Sequence, residues 1–412
     1  MELGSFISDL LGTDLPVRIR AFDGTDVGPK DAATTVTVRS HDALIRMATA
    51  PGELGIARAY VAGDIDIDGD IYDVLELRRL MPEVKLTPGQ VWALVRLHGF
   101  RNIRRIPPPP EEHRRSRSRR HTRGRDSDAI SHHYDVSNEF YERVLGPSLT
   151  YSCAVFNDAT DSLEQAQENK YELICQKLGL RPGSRLLDIG CGWGGMVLHA
   201  AQHHGVEAVG VTISQNQVDV ASQRVAEAGL TDRVSIRLQD YRDIDDGPFD
   251  AISSIGMFEH VGAQQIGAHI QQVTDVLMPG GRFLNHAISR TRTNRRARLH
   301  RAGFMDRYVF PDGELHEVGT VISSLQDHGL EVRHMENLRE HYALTLRHWV
   351  RNLEQNWDEA VADVGAGRAR VWRLYMAGSA VTFEDNDIHV DQVLAVKTPD
   401  SGRHSMPLRP DW

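Results

Sequence analysis

The sequence predicts an α/β protein: a doubly wound, mainly parallel sheet with helices on both faces, preceded by a smaller α+β module. Short apolar runs alternate with helical patterns from Arg185 to Ile288. The first run passes into its helix through a glycine turn, Gly190-Cys191-Gly192-Trp193-Gly194. Four consecutive prolines, Pro107–Pro110, set this region apart from what precedes it. Alternation of this kind favours parallel pairing, because each helix carries the chain back across the sheet to begin the next strand.

In chain order, Val17–Phe22 and Thr34–Val38 read as short strands, with the turn pair Asp23-Gly24 after the first. His41–Thr49 has helical spacing, Gly52–Asp64 is rich in glycine and alanine, and Ile71–Met81 is a second amphipathic stretch. These belong to a module over residues 1–105 in which no spacing points to catalysis. A linker follows over 106–128. Its prolines cannot lie inside a helix and favour a stiff, extended spacer. The run from His113 to Arg125 holds seven arginines. It reads either as a solvated linker or as a patch for anionic headgroups, worth about 1 kcal/mol per basic residue near a membrane.

The larger domain spans 129–412. Arg185–Ile189, Ala208–Val211, Val234–Leu238, Phe249–Ser253 and Gly281–Ile288 read as strands. Gly194–His204, Gln215–Ala228 and Ala263–Leu277 read as the helices between them. Leu338–Gly378 is largely helical and suggests an insertion or lid, and His389–Lys397 alternates like a late edge strand.

Composition narrows the function. Hydrophobic residues make up 41% and charged residues 25% of 412, close to a globular average. A net charge of -10 argues against a general nucleic-acid binder. No apolar run approaches the roughly 18 residues of a membrane span, and Met1–Leu10 lacks the basic start of a secretory signal. Cys153, Cys175 and Cys191 show no metal-ligand spacing. The expectation is therefore no bound metal, and a reducing, cytoplasmic setting.

The strongest local motif is Leu186-Leu187-Asp188-Ile189 followed by the glycine turn. Glycines let a bulky ligand approach the backbone at the carboxyl end of a parallel strand. Asp188 stands two residues before Gly190, and the glycines Gly190, Gly192 and Gly194 follow a Gly-x-Gly-x-Gly spacing. A dinucleotide loop has a different spacing. This version resembles motif I of class I S-adenosylmethionine (SAM)-dependent methyltransferases. The bland alternative is a structural strand–turn–helix. Asp240, Tyr241 and Arg242 end the third strand, where that fold usually sets an acid and an aromatic against adenine. The second strand lacks the usual ribose-binding acid, leaving Thr212 and Gln217 as neutral partners.

Five further motifs lie outside that loop: His132–Tyr141, Leu149–Ala154, Gly256–Gly262, Asn285–Ile288 and His341–Leu346. In this order they resemble the cyclopropane fatty acid synthases and the related mycolic acid cyclopropane synthases, densely from Ile130 to Trp357. The resemblance implies a seven-stranded class I fold with a helical insertion, about 338–378, over the active site. It implies a bicarbonate ion held by Cys153, Glu259, His286, the backbone of Ile288, and Tyr342. It implies SAM contacts from Tyr151, Ser152, the loop from Leu186 to Gly194, Thr212, Gln217, Asp240, Tyr241 and Arg242. Some relatives carry tryptophan and glutamate in place of the Tyr241-Arg242 pair. The partners implied are unsaturated phospholipid acyl chains and, transiently, an anionic membrane at its inner face. No nucleic acid is implied, and a homodimer is compatible with it.

The chemistry explains these residue types. An isolated alkene is a poor nucleophile, and a sulfonium methyl is a strong electrophile. Transfer leaves a carbocation that must be kept from water and steadied by negative charge or π faces. A positioned base then removes a proton so that the ring can close. Each residue also has a structural reading: Cys153 as buried filler, His286 as a satisfied core histidine, Tyr342 as lid packing. Rival outcomes are a methylene or methyl branch, a small-molecule N-methyltransferase, and a non-catalytic lipid- or SAM-binding protein.

Overall fold

The computed structural model describes residues 3–4, 15–50, 52–80, 106–113, 137–291, 303–310 and 313–412. The arginines from Arg114 to Arg125 and the motif residues His132–Val136 lie outside the described residues, as does the end of the leading module over 81–105. The chain divides into two compact units. One comprises Met1–Ser116, His300–Pro311 and Leu353–Val381; the other comprises Arg117–Leu299, Asp312–Asn352 and Thr382–Trp412.

The first unit contains a four-stranded sheet ordered β2-β1-β3-β4, with β1 Arg18–Ala21, β2 Asp26–Val27, β3 Thr35–Val38 and β4 Ile65–Asp68. β1 and β3 run parallel, and the other pairs are antiparallel. Alternation decides which residues face inward. Val17 and Ile19 are buried, while Arg18 turns out to Asp26 at 2.6 Å. Helices His41–Thr49 and Glu53–Val61 supply Ala43, Leu44 and Ala59 to the same core. The proline segment is tied down on this unit. Arg46 donates to the Pro107 carbonyl at 2.8 Å, and buried Glu112 accepts two 2.6 Å bonds from Arg58. The helical stretch predicted over 338–378 is three helices, Arg339–Gln355, Trp357–Val364 and Ala366–Glu384. Its residues through Asn352 cluster with the second unit, and residues 353–381 cluster with the first.

The second unit is built on a seven-stranded sheet ordered β10-β11-β9-β8-β5-β6-β7. Its strands are β5 Arg185–Ile189, β6 Glu207–Thr212, β7 Val234–Leu238, β8 Phe249–Ile255, β9 Leu277–Arg290, β10 Leu330–Asn337 and β11 Ile388–Lys397. From β9 through β8 and β5 to β7 every pairing is parallel, and β11 is antiparallel to both β9 and β10. The alternating pattern thus gives the expected sheet, with one correction. β11 is not an edge strand. It lies between β9 and β10, with Val390–Val396 buried throughout. The edge is β10, whose run Leu-Glu-Val-Arg-His-Met-Glu-Asn is too polar to suggest a strand. Among the described residues no helix is long and apolar enough to cross a membrane.

β5 occupies the middle of the sheet, and Leu186, Leu187, Asp188 and Ile189 are all buried. Beyond it Gly190, Gly192 and Gly194 take φ values of +79°, +53° and +82°. A side chain is strained in that left-handed region. At Gly194, a Cβ would also meet Ala221 Cβ at 3.2 Å, so this glycine sets how closely helix Gln215–Glu227 packs beside the loop. Gly194→Ala is expected to lower folding stability by roughly 1–2 kcal/mol. Urea denaturation would measure it, and an unchanged midpoint would contradict the role given to this backbone.

Candidate active site

A cleft opens at the carboxyl ends of the parallel strands, with about 1210 Å³ of space including its open mouth. Ligands bind there in open α/β sheets because the loops diverge and the strand ends leave a crevice. Tyr151, Ser152, Asp188, Gly190, Gly192, Thr212, Gln217, Asp240, Tyr241 and Arg242 all line it. Gly194 stands just behind the lining, at the start of the helix Gly195–His204.

Each wall is fixed by local hydrogen bonds. Asp188 accepts from Ser253 Oγ at 2.7 Å, and burial raises its carboxyl to about 6. Thr212 donates to Gln217 Oε1 at 2.7 Å, coupling the second strand to the helix after it. Asp240 is clamped by the Arg242 guanidinium at 2.8 and 2.6 Å, which places Tyr241 between them at the rim. The Tyr151–Ser152 segment is held from below by Gln167, whose amide donates to the Ser152 carbonyl at 3.0 Å.

The expected reactive residues lie behind this lining and fall into two linked groups. Glu259 follows β8, and its Oε1 accepts from the backbone N–H of Ile288 at 2.7 Å. His286, two residues earlier on β9, is buried and points to the same face of the strand. Cys153 and Tyr342 converge on one carbonyl. The thiol of Cys153 reaches Leu338 O at 3.7 Å, and the Tyr342 N–H donates to it at 3.1 Å. Tyr342 packs against Phe383 and Trp349, and Trp349 stacks on Tyr151 at 5.4 Å. Burial pushes the Cys153 thiol well up, so it is a neutral group and not a nucleophile.

Two buried atoms in the first group have no hydrogen-bond partner among the described residues: Glu259 Oε2 and His286 Nε2. A polar atom buried without a partner is costly, by about 1–3 kcal/mol. A hydrogen-bond chain fixes what His286 offers. Lys177, which can only donate, reaches Gln392 Oε1 at 2.6 Å, so the Gln392 amide nitrogen faces His286 Nδ1 at 3.2 Å and donates to it. The neutral ring therefore carries its proton on Nε2. Burial, aided by the charges of Lys170 and Lys177, lowers His286 to about 3 and keeps it neutral. Glu259 is raised to about 7 by burial alone, against the Ile288 bond that lowers it. A donor and an acceptor are thus each left unsatisfied away from water, and a small oxyacid anion such as bicarbonate carries groups that could bond either one.

Sequence reasoning missed Lys170. It is fully buried in the helix Leu163–Leu178, lines the cleft, and donates to Ser152 Oγ at 3.0 Å. Its ammonium lies 4.0 Å from the centre of the Tyr171 ring and in the field of Cys153 and Asp188. Desolvation lowers it to about 7. Gln392 and Lys177 were missed as well. The signal for Lys170 was present: with Leu163, Gln167, Ile174 and Lys177 it occupies the buried stripe of an amphipathic helix, where a lysine is out of place.

A family model described as Mycolic acid cyclopropane synthetase matches residues 121–393. A probable fatty acid methyltransferase of Mycobacterium tuberculosis is 48% identical over 408 residues, covering 96% of this chain and 95% of that protein. The cyclopropane-fatty-acyl-phospholipid synthase of Escherichia coli K12 is 38% identical over 270 residues, 66% of this chain and 68% of that protein. Among solved structures, a mycolic acid cyclopropane synthase complexed with S-adenosylhomocysteine (SAH) and CTAB superposes with a TM-score of 0.62. It is 32% identical and covers 66% of this chain and 98% of that one.

His286 makes stability depend on pH. Its folded value, about 3, lies below its ordinary 6.5, so unfolding takes up a proton at intermediate pH. Its contribution is therefore complete above 6.5 and is lost as pH falls toward 3. Across that interval wild-type stability should fall more steeply than that of His286→Asn, by up to about 1.4 kcal/mol per pH unit. Denaturant titrations of both proteins at several pH values measure the difference. Parallel slopes would show that the histidine is charged in the fold.

Proposed function

The chain belongs to the mycolic acid cyclopropane synthetase family and is a SAM-dependent methyltransferase of the class I fold acting on lipid, and from that premise we propose the reaction it completes. The acceptor is the cis double bond of an unsaturated phospholipid acyl chain, and the product is the cyclopropane. The observation that carries this reading is the unsatisfied pair, Glu259 Oε2 and His286 Nε2–H, because ring closure requires a dry place to deliver a proton.

SAM supplies the sulfonium methyl, the electrophile that an isolated alkene needs. Residues lining the cleft would hold it. Asp188 and the glycine turn would take its polar portions, Thr212 and Gln217 its ribose, and Asp240 with Tyr241 at the rim its base; all of them line the cleft. Bicarbonate would supply a base close to the reacting carbon, held by Glu259 Oε2, His286 Nε2–H, Cys153, Tyr342 and the Ile288 backbone. The chain's own groups do the rest. Tyr151 lines the cleft with Trp349 stacked on it and Tyr342 packed against Trp349, and the Tyr151 π face would favour a passing cation over water. Glu259, raised by burial to about 7, could take or release a proton near neutral pH. Lys170 adds a positive charge on the anion-holding side, where it steadies the negative groups of both ligands.

A second reading is the same methyl transfer ending in a methyl or methylene branch. The 48% identical relative, named a fatty acid methyltransferase, favours it. Incubation with unsaturated phospholipid vesicles and SAM, followed by proton NMR of the lipid, separates the two. Upfield cyclopropyl signals are expected. Exomethylene or branched-methyl signals in their place would overturn ring closure. Glu259→Gln should lower turnover by about 10²–10⁴ while leaving SAM affinity largely intact. Equal losses in both would remove Glu259 from the chemistry.

The acceptor lies in a bilayer, and the arginine run from Arg114 to Arg125 is the proposed contact with an anionic surface. Binding to vesicles containing phosphatidylglycerol should weaken as salt rises, since exposed charges are screened beyond roughly 10 Å at 0.1 M. Salt-insensitive binding in a sedimentation assay would retire that contact.

A further inference from the structure

A second group of reactive side chains lies where helix Leu163–Leu178 packs against helix Gly195–His204. Cys175, His199 and His204 each offer a ligand atom, and the three atoms lie within 4.8 Å of one another. Glu172, one turn before Cys175, adds a fourth. Its Oε2 is 2.9 Å from His204 Nε2 and 3.4 Å from His199 Nε2. Cys175 is fully buried, and the His199 and His204 side chains are 12% and 19% exposed. We propose that Glu172, Cys175, His199 and His204 form a four-coordinate site for a zinc-class divalent cation that staples these two helices together.

The donor set chooses the ion. One thiolate, two imidazoles and one carboxylate suit zinc, and they suit magnesium or calcium poorly. Tetrahedral bonds of about 2.0–2.3 Å put ligand atoms roughly 3.3–3.6 Å apart. Of the two Glu172–His separations, the 3.4 Å one meets this and the 2.9 Å one would have to open. The thiol and imidazoles need close by about an ångström. Glu172, outside the set whose atoms all lie within 4.8 Å, would turn toward the thiol on binding. Both imidazoles turn Nε2 toward the same carboxylate oxygen, so three donors share one locus with the thiol sulfur within 4.8 Å of both ring nitrogens. A helix-surface ion pair needs only one histidine and no thiol beneath it. Burial holds His199 below its ordinary value, hence neutral, and raises the Cys175 thiol, so the bound ion itself would have to displace the thiol proton.

The position gives the site a purpose. Helix Gly195–His204 starts directly from the glycine turn, and helix Leu163–Leu178 carries Lys170 and Tyr171, which line the cleft. The Tyr171 ring lies 5.7 Å from that of His199. A Cβ on Gly195 would meet the Tyr171 hydroxyl at 2.1 Å, so the two helices already touch at the cleft floor. An ion at their other end fixes the spacing between the floor and the loop above it.

Cobalt(II) reports on such a site through its thiolate charge-transfer band and tetrahedral visible bands. The full chain, stripped with a chelator, should take up one equivalent of cobalt with both signatures, and zinc should displace it. Cys175→Ala should abolish the thiolate band, and His204→Ala should weaken cobalt binding by at least about 100-fold. His203→Ala, at the neighbouring imidazole 4.5 Å from His199, should leave both intact. Zinc should raise the unfolding temperature of the wild type and not of His204→Ala, whose half-buried site on the last turn of its helix makes it the variant surest to fold. Absence of a thiolate band, its survival in Cys175→Ala, or half-saturation only at millimolar cobalt would each overturn the proposal.

Discussion

Lys170 sits fully buried at the floor of the cleft with its ammonium 3.0 Å from a serine hydroxyl and over a tyrosine ring, and no carboxylate among the described residues pairs with it directly. Removing a charge from water costs several kcal/mol unless something replaces its hydration. Here the replacement is spread out: Ser152 Oγ, the π face of Tyr171, and Asp188 across the floor. Each of these belongs to a different element. The segment carrying Ser152, the helix carrying Lys170 and the strand carrying Asp188 must therefore meet at one point for any of them to be stable. That requirement holds the cleft open at the carboxyl end of β5. It also ties the two charges to one another, since burial lowers Lys170 to about 7 and raises Asp188 to about 6 while each favours the charged form of the other.

The same logic extends to the far side of β9. His286 can present a proton on Nε2 only because Gln392 donates to its other nitrogen, and Gln392 is turned that way only because Lys177 occupies its carbonyl. Lys177 in turn is balanced by Glu336 on β10. This relay passes from helix Leu163–Leu178 to β11 and back to β9, so it exists only if β11 is inside the sheet. Inserting β11 antiparallel between β9 and β10 is thus the topological feature that sets the tautomer of His286.

This explains what could be read from the sequence. β5 to β9 announce themselves as apolar runs bounded by turns, and the glycine spacing after β5 locates the cleft. β10 is hidden because only Leu330 is buried along it, and an alternating polar run is indistinguishable from a loop. β11 then looks like an edge strand because its true outer neighbour is invisible. Cys153, Glu259, His286 and Tyr342 were legible through their motifs, yet their two pairings, through the Ile288 N–H and through the Leu338 carbonyl, were not. Lys177 and Gln392 are 215 residues apart, and no local pattern joins them. The first unit is discontinuous for a similar reason: residues 353–381 cluster with the leading module although the sequence separates them by more than two hundred positions.

The partition between a ring and a branch is decided after methyl transfer, in the lifetime of the cation. Ring closure needs a proton to leave the newly added methyl before water arrives or a proton leaves a neighbouring carbon. Two physical quantities control that race: how dry the site is, and how close a proton acceptor stands to that methyl. Dryness is built from the aromatic group of Tyr151, Trp349 and Tyr342, which depends on helix Arg339–Gln355. The proposed acceptor, a bicarbonate ion, would be held in part by Glu259, whose Oε1 is fixed by one 2.7 Å bond to the backbone of β9. A backbone N–H cannot swing as a side chain can, so Glu259 Oε1 is held against that strand. Fixing the carboxylate to the sheet is a constraint that a position-sensitive deprotonation would use whichever carbon loses the proton, so ring and methylene outcomes would share it and the identity of the product decides between them.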